Sequence, residues 1–124
     1  MKKLVFILLL VFIAMQSASF AALENKKVEI GIPYLEMSAI SFLHQDANKQ
    51  VTSFTGVNWS LGITHRMYFE PVKVNEINMS WEIGTWALII PYIGAGGDYV
   101  WDNAWYAGIG LFYIVPYPRV GVFL

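Results

Sequence analysis

The stretch Val51-Thr52-Ser53-Phe54-Thr55-Gly56-Val57-Asn58-Trp59-Ser60-Leu61-Gly62-Ile63-Thr64-His65-Arg66-Met67-Tyr68-Phe69 decides the fold. Its odd positions include Val57, Trp59, Leu61, Ile63, Met67 and Phe69; the even ones between them include Gly56, Asn58, Ser60, Gly62 and Thr64. Successive side chains of a strand point to opposite faces, so the segment has one bulky apolar face and one small, polar face. A soluble sheet can show the same alternation. Which face can meet water is decided by composition.

Lys2 and Lys3 precede an apolar run from Leu4 to Met15, and a Ser19-Phe20-Ala21 tripeptide follows a short polar patch. That order of charged, apolar and small residues predicts a secretory signal peptide over residues 1–21, cleaved after Ala21. An uncleaved anchor is the alternative, but a spanning helix needs roughly 20 apolar residues and this run is shorter. Residues 22–124 then form one small domain with six basic and nine acidic side chains. No basic tract exists to hold phosphates, so nucleic acid is not an expected partner. The chain has no cysteine, so disulfides, which often hold small exported domains together, are not available to it. With five Trp, seven Tyr and eight Phe, polar cover is too scarce for the bulky faces to meet water.

Turn signals separate alternating runs along the rest of the chain, with no helical periodicity of useful length. Six strands are expected, over about 28–44, 51–69, 76–90, 92–101, 105–115 and 117–124, with Pro91 and the Pro116/Pro118 pair marking breaks. Pro33 and Glu36 interrupt the first, which is either one strand or two shorter ones. The clearest hairpin turns at Asp102-Asn103-Ala104. It pairs Trp101 with Trp105, Tyr99 with Ala107 and Asp98 with Gly108, leaving a glycine-rich face fit for the crowded inside of a narrow barrel.

Arg66, Glu82 and Asp98 fall on the small-residue face of three consecutive strands. With turns centred near residue 73 and Pro91, Arg66 lies diagonal to Glu82 and Glu82 near Asp98. An interior cluster of one cation between two carboxylates is the expectation; three separate charges near water-filled mouths are the alternative. The bulky face predicts Trp59, Leu61, Ile63, Trp81, Trp101, Trp105, Ile109 and Leu111 as lipid-facing. Tyr34, Tyr99, Tyr113 and Tyr117 join the tryptophans in an aromatic girdle.

Catalytic signals are weak. His44 and His65 are the only histidines and lack metal-ligand spacing. Ser60 and Ser80 sit in no nucleophile elbow. The Gly94-Ala95-Gly96-Gly97 run lacks the lysine and the helix of a phosphate loop. No enzyme activity, metal or cofactor is expected.

The signal peptide, the two-residue alternation, the aromatic strand ends and the final strand together resemble small bacterial outer-membrane β-barrel proteins. Pro91-Tyr92-Ile93-Gly94-Ala95-Gly96-Gly97-Asp98-Tyr99, followed by Trp105-Tyr106-Ala107-Gly108-Ile109-Gly110, resembles their glycine–aromatic hairpins. The family usually ends on an aromatic residue; here Phe123 is penultimate. The resemblance implies an all-β, antiparallel up-and-down barrel of about 6–8 strands in an outer membrane, with lipid as its partner. Single-chain barrels of this kind usually have at least eight strands, so a further hairpin, with 28–44 as its place, or an unusually small barrel is favoured over a homo-oligomer completing the barrel. The expected function is a non-enzymatic, structural or surface-exposed barrel too narrow for a general porin. The alternative is a periplasmic or secreted soluble barrel or sandwich that binds an apolar ligand with its Trp-rich face inside.

Overall fold

A computed structural model describes residues 1–17 and 23–124. The expected cleavage point after Ala21 lies outside the described residues. Helix α1 (Lys2–Ser17) comes first, and no described helix is long and apolar enough to cross a membrane.

Eight antiparallel strands follow: β1 (Val28–Gly31), β2 (Ser38–Gln45), β3 (Val51–Asn58), β4 (Ile63–Tyr68), β5 (Glu76–Trp86), β6 (Ile90–Val100), β7 (Trp105–Phe112) and β8 (Val115–Phe123). Each pairs with the next, and β1 pairs with β8, so one chain closes an up-and-down barrel. The segment 28–44 holds the additional hairpin, with Pro33 and Glu36 in the connection between β1 and β2.

The decisive stretch is two strands rather than one. β3 and β4 meet in a turn at Trp59-Ser60-Leu61-Gly62. Val57 pairs with Ile63 and Phe54 with Arg66, so odd faces odd and even faces even. Paired residues point the same way, and the alternation therefore runs through the turn without a phase break. The buried Asn58 side chain builds that turn. Its carbonyl oxygen accepts from the Ser60 and Gly62 amides, and its amide group donates to the Ile63 and Thr85 carbonyls.

Two other breaks fall elsewhere than the prolines indicated. β5 ends at Trp86 and turns at 87–89, which puts Pro91 inside β6 opposite Thr85. Ala87 and Leu88 take φ of 54° and 63°, a region that glycine or asparagine ordinarily fills in such turns. Nothing in their chemistry signals a break. The last hairpin turns at Tyr113-Ile114, and Pro116 and Pro118 lie within β8. The Val120 amide donates to the Leu35 carbonyl. The same edge at Pro118 and Pro116 runs past the end of β1, where no ladder donor is needed. The 102–104 hairpin has the expected register throughout.

The two ends of the barrel differ. The proximal end holds the start of β1, the end of β8 and the connections 46–50, 69–75 and 101–104; the distal end holds 32–37, 59–62, 87–89 and 113–114. Side chains fill the lumen in three layers. Proximally, Val51, Phe54, Tyr68, Val72, Val100 and Phe123 form an apolar cluster. Distally, Trp86, Tyr92, Phe112 and Tyr117 stack, with Phe112 and Tyr117 rings 3.8 Å apart and nearly parallel. Between them lies a charged layer. Glycine makes room for it: a Cβ on Gly110 would lie 2.5 Å from the Arg119 Nε and the Tyr117 ring.

Candidate functional site

The charged layer contains Glu29, Glu36, Arg66, Glu82, Asp98 and Arg119, all buried. Arg66, on β4, is its hub. Its Nε donates to Glu82 Oε1 at 2.7 Å, and its two terminal nitrogens donate to the two Glu36 oxygens at 2.6 and 3.2 Å. Asp98 lies 3.5 Å away. The guanidinium also sits over the Phe54 ring, 4.9 Å from its centroid. Charge-assisted bonds to two carboxylates offset the cost of removing this cation from water.

The structure brings the three sequence-identified charges together, with a different register. Arg66 is directly opposite Glu82 rather than diagonal to it. Asp98 is opposite Asn78, further along the wall, and is reached through the length of the arginine side chains. Neither Asp98 carboxylate oxygen has a hydrogen-bond partner among the described residues. The two guanidiniums at 3.5 and 3.6 Å hold it electrostatically.

Three members of the layer were not read from the sequence. Arg119 donates to Tyr117 Oη at 2.7 Å and to Ser80 Oγ at 2.9 Å. Its signal was its alternation with Tyr117, Gly121 and Phe123, all on the inner face, but inner residues are even in β7 and odd in β8, so parity alone did not point it inward. Glu29 shares the inner face of β1 with Gly31. Glu36 belongs to no strand, and only the inward fold of the 32–37 connection delivers it. Tyrosines complete the layer. Tyr92 and Tyr117 hydroxyls donate to Glu82 Oε2, and Thr64 is 2.7 Å from Tyr92 Oη. The Tyr106 hydroxyl lies between Oε2 of Glu29 and Oε2 of Glu36.

Tyr117 therefore faces the lumen, where the sequence had placed it in an outer girdle. The other girdle residues lie outward or at the rim. Tyr34, Trp59 and Tyr113 stand at the distal end, Tyr99, Trp101 and Trp105 at the proximal end, and Trp81 in mid-wall. Trp59 begins a turn instead of lying in mid-strand, because the stretch that contains it is two strands. Leu61, Ile63, Ile109 and Leu111 are exposed on the outside. The outer wall also carries one polar contact unread from sequence: Thr55 Oγ1 bonds both His44 Nε2, at 2.9 Å, and His65 Nδ1. Among the described residues no group of three or more His, Cys, Asp or Glu side chains is arranged to hold a metal.

This geometry distributes polarity inside out. The buried residues include four carboxyl groups and two guanidiniums, while Phe42, Ile77, Ile83, Ile93 and Ile109 stand exposed outside. Chemically the layer can clamp the barrel wall from within, through ion pairs that join β4, β5, β6 and β8. No protein-family model, no curated protein and no solved structure matches the chain.

Proposed function

We propose that the chain is a non-enzymatic outer-membrane β-barrel with a structural or surface-exposed role, held against lipid by its outer wall. The observation that carries this reading is the inside-out polarity: ions and hydroxyls in the lumen, aliphatic and aromatic side chains outside. In water such a wall would expose a continuous apolar surface far larger than a soluble domain tolerates. In lipid it is the favoured arrangement, and the closed barrel pairs its strand edges except where β8 runs past β1, at Pro116 and Pro118, which have no amide hydrogen to satisfy. The competing reading, a soluble binder of an apolar ligand, needs Trp59 and Trp81 around an enclosed apolar cavity. Both lie on the outside. The filled lumen supports a role other than general solute passage.

Tryptophan quenching by lipids brominated at chosen acyl positions tests the proposal. Variants that keep only Trp59, Trp81, Trp101 or Trp105, reconstituted in such bilayers, should each be quenched, and one that keeps only the lumenal Trp86 should not. Trp81 should respond most to deep bromines, and Trp101 and Trp105 to shallow ones. Uniform lack of quenching overturns the membrane reading.

A further inference from the structure

Outside the lumen, residues 23–124 carry nine charged side chains, and all nine lie at the proximal end. They are Glu24, Lys26 and Lys27 before β1, then Asp46 and Lys49, then Glu70, Lys73 and Glu76, and finally Asp102. The distal end has one charged residue, Glu36, and its carboxylate is turned inward onto Arg66. The distal tips are apolar and stand clear of the wall: Tyr34 is 97 % exposed, Ile114 89 %, Leu61 82 % and Ile89 80 %.

Backbone geometry adds an independent observation. Tyr34, Leu61, Ala87, Leu88 and Tyr113, all in distal connections, take φ between 54° and 68°. Glycine, asparagine or aspartate would relieve that strain at a surface that meets water. Apolar or aromatic residues stand there instead, four of the five bulky. Many amides of the distal connections are also bonded within the chain. Those of Ile32, Leu35, Met37, Trp59, Leu61 and Tyr113, among others, donate within the chain. Backbone in hydrocarbon must do so.

We propose that the distal end stays within the far leaflet of the bilayer and places no loop in the water beyond it. The protein then meets water only on the side of its charged end. This rests on the membrane reading above, and departs from the long aqueous loops usual at one end of outer-membrane barrels. The tallest part of the wall fits within the hydrocarbon core: the two longest strands, β5 and β6, of 11 residues each, rise roughly 28 Å at 3.3 Å per residue and a tilt of about 40°. The hydrocarbon core is about 30 Å thick.

The absence of cysteine from the sequence makes single-cysteine labelling direct. Asn48→Cys marks the charged end, and Leu88→Cys and Ile114→Cys mark two distal tips. Each full-length variant is reconstituted in phosphatidylcholine vesicles and floated, then exposed to a sulfonated maleimide outside or on both sides. A parallel sample carries a bimane fluorophore at the same cysteine, with spin-labelled lipid as quencher. Asn48→Cys should label readily. The two tip variants should label at least about tenfold more slowly from either side, since a charged reagent is excluded from hydrocarbon, and their bimane should be quenched by lipid. Tip labelling as fast as at Asn48→Cys places the loops in water and overturns the inference. Shielded tips that lipid does not quench, with disulfide-linked dimers, mean that a second copy covers them, which also overturns it. Failure to float with vesicles instead defeats the membrane reading itself.

Discussion

Replacing Arg66 by Met should be among the most damaging single changes in the barrel, and its coupling to Glu82 can be measured. Arg66 is fully buried and donates three hydrogen bonds to two carboxylates. Its loss leaves Glu82 with two tyrosine hydroxyls and a distant Arg119 at 3.9 Å, and Glu36 with the Tyr106 hydroxyl and the Met37 amide. Removing one partner of a buried ion pair costs about 3–5 kcal/mol. Glu82→Gln removes one charge-assisted bond and should cost about 1.5–3 kcal/mol. Because both changes break the same 2.7 Å contact, the double variant should be more stable than the sum implies, by about 1–3 kcal/mol. Urea unfolding of the refolded barrel in detergent micelles, followed by tryptophan fluorescence, measures all four corners. If Arg66→Met does not fold, Arg66→Lys keeps the cycle intact, because it retains the charge and loses the fork geometry. Effects additive to within about 0.5 kcal/mol would refute the clamp.

Two further outcomes follow from the same structure. A hydroxyl has one hydrogen to give, yet Tyr106 Oη contacts carboxyl oxygens of both Glu29 and Glu36, and Arg66 already occupies both oxygens of Glu36. Glu29→Gln, which can donate to Tyr106 through its amide, should therefore lie within about 1 kcal/mol of the parent in urea unfolding; a loss as large as that of Glu82→Gln would contradict this. Replacing Ala87 by Gly should stabilise the barrel in micelles by about 1 kcal/mol, because Ala87 takes positive φ and the change removes only one methyl group from the apolar tip. A stability loss in the same titration would show that the turn is not strained.

Face, class and part of the site were legible in the chain because alternation is local. A residue's parity tells which way it points, so Arg66, Glu82 and Asp98 could be grouped from the pattern alone, and the 94–112 register followed from a single turn. Boundaries were less legible for the same reason. Where paired residues share parity, as across Trp59–Gly62, a turn leaves no mark on the alternation, and two strands read as one. Turns at Ala87–Ile89 and Tyr113–Ile114 use residues with no turn chemistry, while Pro116 and Pro118 sit in a strand whose outer edge is unpaired there.

Closure decided the rest. Parity switches between β7, whose inner residues are even, and β8, whose inner residues are odd, so Arg119 enters the lumen only in that register. Glu36 comes from outside any strand, and its place depends on the short β1 leaving room for 32–37 to fold inward. The sequence by itself determined which side chains of one strand share a face, since that depends on neighbours two residues apart. Only the tertiary structure decided strand number, the exact partners of Arg66 and the segregation of charge to one end, because those depend on how distant segments meet when the sheet closes on itself.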